Sequence, residues 1–285
     1  MKEKKKKIGA STLALIVIFF AGLSLLLYPS VSNFVNERNQ SHVIADYTQS
    51  IGQMDAEKYE QIRAQAREYN EQLYWGTGEL LEQYDSLLDA SGSGIMGYVE
   101  IPCIDCMLPI YHGTDEDVLQ VAIGHLEWTS LPVGGENTHS VISGHRGLPS
   151  AELLTHIDKM ETGDKFYIHV LGEVLEYRVD NIAVVEPEDT SLLEIEEGED
   201  RMTLVTCTPY GVNSHRLLVQ GRRVGTAALS GELYVSNEIR PVSLVYVIPV
   251  FLSVIALLAV AALFLQKKKP TEKEEEKCQD GLQEN

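Results

Sequence analysis

The stretch TLVTCTPYGVNSHRLLVQGRR, residues 203–223, decides the fold, because it places two β-rich runs on either side of a short turn. The first run ends at Cys207, a turn rich in Pro, Gly and Asn follows, and the second run begins at Arg216. This pattern predicts a hairpin with Cys207 at the end of one strand and Arg216 at the start of its partner. A guanidinium would then lie close to a thiol.

Other β-rich runs lie upstream, from Tyr98 onward, and turn residues separate each from the next. They are GYVEIP, MLPIYHG, HSVISGH, DKFYIHVL and VLEYRVDNIAVVE. Short runs at this spacing predict a mainly β domain, either an antiparallel β-barrel or a sandwich. A serine shortly before Glu152 predicts one short helix over residues 150–160.

Cys207 has the neighbours that thiol chemistry needs. A cysteine thiol with a pKa of about 8.5 is mostly protonated at neutral pH, and a nearby cation favours the thiolate or neutralises an oxyanion. Arg216 would supply that cation. The competing interpretation makes Cys207 a buried strand residue and Arg216 a surface cation.

A thiol nucleophile also needs a proton acceptor, and His145 is the strongest candidate among the eight histidines. It follows a β-rich run in VISGHRG, residues 141–147, where the flanking glycines would expose an imidazole at the end of a strand. His125, His139 and His215 are competitors. Each of them, taken alone, fits a structural histidine better than a catalyst.

The other three cysteines have different settings. Cys103 and Cys106 form a C-x-x-C pair, whereas Cys278 lies in the tail rich in lysine and glutamate. The pair supports an alternative function, a membrane-tethered redox or binding module in which Cys207 is inert. The pair could also supply two zinc ligands, but no second pair accompanies it at a suitable spacing.

Two apolar segments flank the central part of the chain. Residues 8–28 predict a transmembrane helix or signal anchor and residues 241–266 a second transmembrane helix, since each holds the ~20 apolar residues that cross a bilayer. Lysine clusters lie on the outer side of both, which places the termini, 1–7 and 267–285, in the cytoplasm and the middle outside. A cleaved signal peptide is the alternative for the first segment. The formal net charge of −19 argues against nucleic acid as a partner.

The composition changes twice between the first apolar segment and the β-rich region. Residues 29–75 hold strong helix formers with apolar residues at three- and four-residue steps, which predicts a helical extension broken near Gly52. Residues 76–97 hold glycines around a short apolar piece, which predicts a mobile connector. The β-rich domain is expected over residues 98–232.

Several of these motifs together resemble the sortases of Gram-positive bacteria. They are TLVTC, an arginine nine residues after the cysteine, and the upstream Gly-His-Arg-Gly segment. The longer segment IGHLEWTSLPVGGENTHSVISGHRGLPSAELL, residues 123–154, is similar to class C, the branch that polymerises pilins. The resemblance runs over residues 33–224 and includes the helical extension.

The resemblance implies an eight-stranded sortase β-barrel and a cysteine transpeptidase site formed by Cys207, His145 and Arg216. Cys207 would attack the Thr–Gly bond of an LPXTG-like sorting signal, His145 would protonate the leaving amine, and Arg216 would stabilise the oxyanion or hold the substrate. A lysine amine of another pilin subunit would then resolve the thioester. No metal or organic cofactor is implied, and attachment of surface proteins to peptidoglycan is the alternative within the family.

The chain departs from class C in the connector. Members of that class carry a lid between the extension and the barrel, with an Asp-Pro-aromatic motif whose aromatic ring covers the cysteine. Residues 76–97 contain no proline, so the nearby substitutes for the lid are Tyr84 with Asp85 and Tyr74 with Trp75. The C-x-x-C pair is a second departure.

Overall fold

The computed structural model describes residues 10–77 and 84–228. The chain divides into two compact units, one made of residues 1–30 and 238–285 and the other of residues 31–237. In the first unit the structure describes residues 10–30, and in the second it describes residues 31–77 and 84–228. The second predicted membrane span and both predicted cytoplasmic ends, 1–7 and 267–285, lie outside the described residues.

A long helix, α1 (Ala10–Gly52), begins in the first apolar segment and ends where the sequence predicted a break. Among the described residues it is the one helix long and apolar enough to cross a membrane: its stretch Ile18–Gly52 contains an 18-residue window with a mean hydropathy of 1.6. A signal sequence near the N-terminus meets the same criterion. The transmembrane anchor therefore stays a prediction, with a cleaved signal peptide as its alternative.

The second helix of the extension is α2 (Ala56–Trp75). Its start is fixed by Asp55, whose carboxylate accepts the backbone N–H of Lys58, and its end by Gly76 in the left-handed conformation that glycine tolerates. The predicted helical extension with a break near Gly52 is confirmed.

Eight strands follow and close into a barrel, as the resemblance implied. Around the barrel the strand order is β1-β2-β3-β4-β7-β8-β6-β5, and β5 pairs with β1 to complete it. Most neighbours are antiparallel, but β2 with β3 and β4 with β7 are parallel. The strands are β1 (Ile95–Ile101), β2 (Cys106–His112), β3 (Ile123–His125), β4 (Thr138–Ser143), β5 (Lys165–Val170), β6 (Glu173–Val185), β7 (Asp200–Thr208) and β8 (His215–Ala228).

The helical extension shares its core with the barrel. The buried hydroxyl of Tyr47, on α1, donates to the carbonyl of Met96 at 3.0 Å and accepts the N–H of Leu171 at 2.9 Å. Asn70, on α2, donates to the carbonyl of Leu131 and accepts its N–H at 2.7 Å. Within residues 31–237 the extension is thus part of one packed domain.

The short α-helix expected over residues 150–160 is wrong. The segment forms turns and one 3-10 turn, Ile157–Lys159. Leu153 has a positive φ of 40°, outside the helical range, and Leu154 donates its N–H to the carbonyl of His145, whereas a helix would pair it with Ser150. Glu152 donates its N–H to the side chain of Asn33, which holds the segment against α1. These contacts between distant residues outweigh the local helix propensity.

Candidate active site

The predicted hairpin of residues 203–223 is present as β7 and β8. Cys207 lies directly across from Arg216 in the antiparallel register, one residue before β7 ends and one after β8 begins. The turn between the strands is closed by the carbonyl of Pro209, which accepts the N–H groups of Val212 and Asn213 at 3.0 Å. Directly opposed residues have Cβ atoms only about 5 Å apart, so this turn places the thiol beside the guanidinium.

His145 reaches the same place from the other side of β7. Strand β4 runs parallel to β7 with Ser143 opposite Val205. The pairing continues past the strand end, because Gly144 donates its N–H to Val205 at 3.1 Å and accepts the Thr206 hydroxyl at 2.8 Å. Extended by one more residue, this register predicts that His145 lies level with Cys207, at the spacing of about 4.8 Å that separates neighbouring strands.

The three side chains also share one face of the sheet. Ile142, Leu204 and Val219 belong to the core inside the barrel, whereas Val141, Val205 and Leu218 form a separate apolar cluster with Leu193. Since side chains alternate along a strand, His145, Cys207 and Arg216 lie on the face that carries this second cluster. We call this outer face of β4, β7 and β8 the site face, and the four-residue cluster the apolar patch.

Each of the three side chains is half-buried, so a substrate can reach them. Arg216 uses Nη1 to donate to the carbonyls of His215 and Asn213, at 3.2 and 3.5 Å. These bonds orient the planar fork, which carries five donors in all. A thiol, an imidazole and an oriented guanidinium together can perform nucleophilic acyl transfer with general acid–base help.

The competing histidines have other tasks. His125 is fully buried with its Nε2 at 2.8 Å from the carbonyl of Ser130, and burial lowers its pKa to about 4. His139 is also buried, and burial lowers its pKa. His215 contacts Ser214 and pairs with Glu186. Of the four candidates, His145 is the one that the extended β4–β7 register predicts beside Cys207.

The C-x-x-C pair flanks the β1–β2 connection, at the edge of the barrel. Cys103 is exposed as a residue, but partial desolvation of its thiol, together with the Asp164 carboxylate, raises the pKa of that thiol. Cys106 begins β2 and directs its thiol to the carbonyl of Leu153 at 3.7 Å. A raised pKa disfavours the reactive thiolate at Cys103. Within residues 10–77 and 84–228 no group of three or more His, Cys, Asp or Glu is arranged to hold a metal ion.

Tyr84 does not fit the lid that the resemblance suggested. It is a core residue, 2% exposed, whose ring stacks on His125 and whose hydroxyl contacts Nδ1 of that histidine at 2.9 Å. The hydroxyl also accepts the N–H of Gly113 at 3.1 Å. Asp85 beside it is exposed, and residues 78–83 of the connector lie outside the described residues.

Tyr74 and Trp75 are equally poor lid candidates. They end α2 and line a cavity of about 470 Å³ with Gly134–Thr138, at the start of β4. His145 follows the other end of that strand, roughly 20 Å away at about 3.3 Å per residue. These two aromatic residues therefore lie far from Cys207.

Arg146 is a structural link between the two halves of the site that no sequence pattern indicated. Its guanidinium pairs with Asp158 at 2.6 Å, donates to the Thr208 hydroxyl at 3.4 Å and lies over the Tyr210 ring. It thus connects the residue after His145 to the residue after Cys207. The Gly-His-Arg-Gly motif contained this arginine, but only the fold shows what it contacts.

Comparison with known families and proteins gives consistent matches. The sortase domain family matches residues 99–224. Sortase D of Bacillus subtilis (strain 168) is 30% identical over 131 residues, a match that covers 45% of this chain and 63% of that protein.

Two solved structures match over almost their whole length. Sortase C of Streptococcus pneumoniae, whose structure is described as informing catalysis and pilin substrate specificity, is 49% identical with a TM-score of 0.58. Sortase C of Clostridium perfringens, solved with the C-terminal cell wall sorting motif, is 45% identical with a TM-score of 0.59. Each match covers 65% of this chain and 98% of the other.

Proposed function

This chain belongs to the sortase family of cysteine transpeptidases, and from that premise we propose that it polymerises pilins, with Cys207, His145 and Arg216 as its catalytic residues. The observation that carries the proposal is the register of β4, β7 and β8. Strands β7 and β8 pair Cys207 with Arg216, and the β4–β7 pairing, continued from Ser143 and Val205 to His145, supports an imidazole on the other side of the thiol. The likeness to sortase C structures supports a pilin as the substrate.

In the first half-reaction the thiol proton passes to His145 and the Cys207 sulfur attacks the threonine carbonyl carbon of an LPXTG-like sorting signal. The tetrahedral oxyanion is stabilised by the guanidinium of Arg216, whose planar fork suits an oxygen anion. The Thr–Gly bond then breaks, and His145 returns the proton to the leaving glycine amine. A thioester between Cys207 and threonine remains.

In the second half-reaction a lysine amine of another pilin subunit attacks the thioester. His145 accepts the amine proton and the Cys207 sulfur leaves, so an isopeptide bond forms and the enzyme is regenerated. The sum is one amide bond exchanged for another. The domain would act outside the cell membrane, held by the first and second apolar segments.

The test uses the full chain in detergent micelles with a fluorescent LPXTG-like peptide and two competing acceptors. One acceptor is a pilin-type protein with a reactive lysine, and the other is the amine of a cell wall precursor. We expect transfer to the lysine, no transfer by Cys207→Ala, and a thioester that hydroxylamine traps. Preferred transfer to the wall amine would instead support the alternative, anchoring of surface proteins to peptidoglycan.

The redox or binding module that uses Cys103 and Cys106 is the remaining alternative. It predicts an activity that Cys207→Ala leaves intact. The raised pKa of the Cys103 thiol does not favour it.

A further inference from the structure

The loop between β6 and β7, residues 186–199, lies against the site face. Its 3-10 turn, Ser191–Leu193, brings Leu193 onto Val141, Val205 and Leu218, where its side chain is 8% exposed. Val205 is two residues before Cys207 on the same face. Leu193 therefore borders the approach to the thiol.

Two buried side chains hold the backbone on either side of Leu193. Nδ1 of His139 lies 2.8 Å from the carbonyl of Glu194, and Nε2 of Gln220 donates to the carbonyl of Leu192 at 2.6 Å. His139 is 1% exposed and Gln220 4% exposed. The carbonyls just before and just after Leu193 are thus each held by a buried side chain, one on β4 and one on β8.

A hydroxyl on the strand between them joins the two side chains. Thr203, on β7, is fully buried, and its Oγ1 lies 2.7 Å from Nε2 of His139 and 3.2 Å from Nε2 of Gln220. The amide of Gln220 is itself oriented by Asn181, which donates to its Oε1 at 2.7 Å.

The donors and acceptors of this network allow one assignment. A carbonyl only accepts, so Nδ1 of His139 carries the proton that Glu194 receives, and Nε2 is left to accept the Thr203 hydroxyl proton. The Thr203 oxygen can then accept from Gln220. Every buried polar group in the network is satisfied while His139 is neutral, the form that burial favours.

We propose that His139, Thr203 and Gln220 form a clamp that positions Leu193 beside the substrate residues next to the scissile bond. The three are positioning residues, because they act through the loop and contact none of the reacting atoms. The proposal rests on the proposed function. It assigns a task to a histidine that sequence reasoning had considered only as a rival catalytic base.

The clamp is tested first without any substrate, by limited digestion with a glutamate-specific protease, which cuts at the glutamates of the 186–199 loop. His139→Leu removes both bonds of the imidazole, whereas His139→Asn keeps a donor for the Glu194 carbonyl. We expect the first variant to be cut several-fold faster in this loop and the second to stay close to the parent. Equal cutting of all three proteins would overturn the clamp.

The second measurement is KM and kcat for the LPXTG-like peptide, with the rate of Cys207 alkylation measured in parallel. Loss of a buried hydrogen bond typically costs about 1 kcal/mol, so His139→Leu should raise KM by about fivefold or more. kcat and the alkylation rate should change by less than about twofold, and His139→Asn should restore most of the affinity. A fall in kcat together with slower alkylation would show that the network acts on Cys207 itself.

Leu193→Ala supplies the control that does not touch the buried network. It should raise KM as His139→Leu does, and the double variant should be no worse than Leu193→Ala alone, because the clamp acts through that side chain. Additive effects would overturn the proposal. If the parent enzyme leaves the peptide uncut while the digestion results hold, the proposed function fails and the clamp stands.

Discussion

Arg216 and Arg222 lie on the same strand and the same side of it, yet their contacts differ. Arg216 bonds the β7–β8 turn beside Cys207, whereas Arg222 is exposed and pairs with Glu199 at 2.8 Å. We expect Arg216→Lys to lower kcat/KM for the sorting peptide by about 100-fold, since an ammonium cannot reproduce the planar fork. Arg222→Lys is the matched control and should change it by less than about twofold. Near-normal transpeptidation by Arg216→Lys would refute an oriented role.

Thiol reactivity separates Cys207 from the C-x-x-C pair. Partial desolvation and the Asp164 carboxylate raise the pKa of the Cys103 thiol, so a smaller fraction of it is ionised at pH 7 than in an ordinary cysteine. Iodoacetamide labelling of the full chain at pH 7, followed by mass spectrometry of each cysteine, should therefore modify Cys207 before Cys103 and Cys106. Cys207→Ala should leave both of these slowly labelled, and Cys103→Ser should leave the rate at Cys207 unchanged. Fast labelling of Cys103 or Cys106 in Cys207→Ala would favour the redox module.

At the residue scale, sequence reasoning succeeded where the contact is local. Cys207 and Arg216 are nine residues apart and are joined by one turn, so a β–turn–β pattern was enough to pair them. His145 was proposed from its glycine-flanked motif, and it follows a strand whose parallel pairing with β7 joins residues 62 apart, such as Ser143 and Val205, which no periodicity predicts. Leu193 and its clamp carry no local pattern and were missed.

Gly144 shows how an element sets the site. It sits between β4 and His145, and a Cβ there would meet Ile123 at 2.6 Å and Leu154 at 3.1 Å. In Gly144→Ala the added methyl group would clash with these two side chains, so we expect the backbone that follows β4 to move away from the core. We expect a loss of about 1–3 kcal/mol in the free energy of unfolding, from overpacking, and at least a tenfold fall in kcat as His145 moves from Cys207.

Gly52→Ala is the control for that substitution, because nothing lies within 4 Å of a Cβ there. At the end of a helix it should leave stability unchanged or raise it slightly. Chemical unfolding and peptide kinetics measured on the same preparations check both variants. Full activity of Gly144→Ala would show that the site does not depend on this close contact.

The elements divide into those that local patterns specify and those that tertiary contacts reshape. The helical extension was predictable because helix formers fill it and Asp55 and Gly76 mark the start and end of α2. The helix expected over 150–160 is absent because Leu153 adopts a positive φ and Leu154 donates its N–H to His145. Tyr84 was misjudged as a lid because its partner, His125, is remote in sequence.

Within residues 31–237 the extension and barrel fold as one domain, so damage to their contacts should spread. Tyr47→Phe leaves the carbonyl of Met96 and the N–H of Leu171 buried without their partner. We expect a loss of about 1–3 kcal/mol in the free energy of unfolding, with a single transition reported both by far-ultraviolet circular dichroism and by hydrogen exchange of the barrel-strand amides. Tyr74→Phe, on a half-buried side chain at the end of α2, is the control. Separate transitions for helix and barrel would contradict this view.

Acid should destabilise the whole domain through His125. Its pKa is about 4 when folded, against an ordinary 6.5, so between these values the unfolded chain binds more protons than the folded one. The contribution of neutral His125 to the free energy of unfolding is therefore fully present above about pH 6.5. It declines as the pH falls towards 4, by at most roughly 3 kcal/mol. His125→Gln cannot titrate and can still donate to Ser130, so its urea-unfolding free energy should fall less between pH 7 and pH 4.5 than that of the parent. Equal declines in the two proteins would show that other groups carry the acid sensitivity.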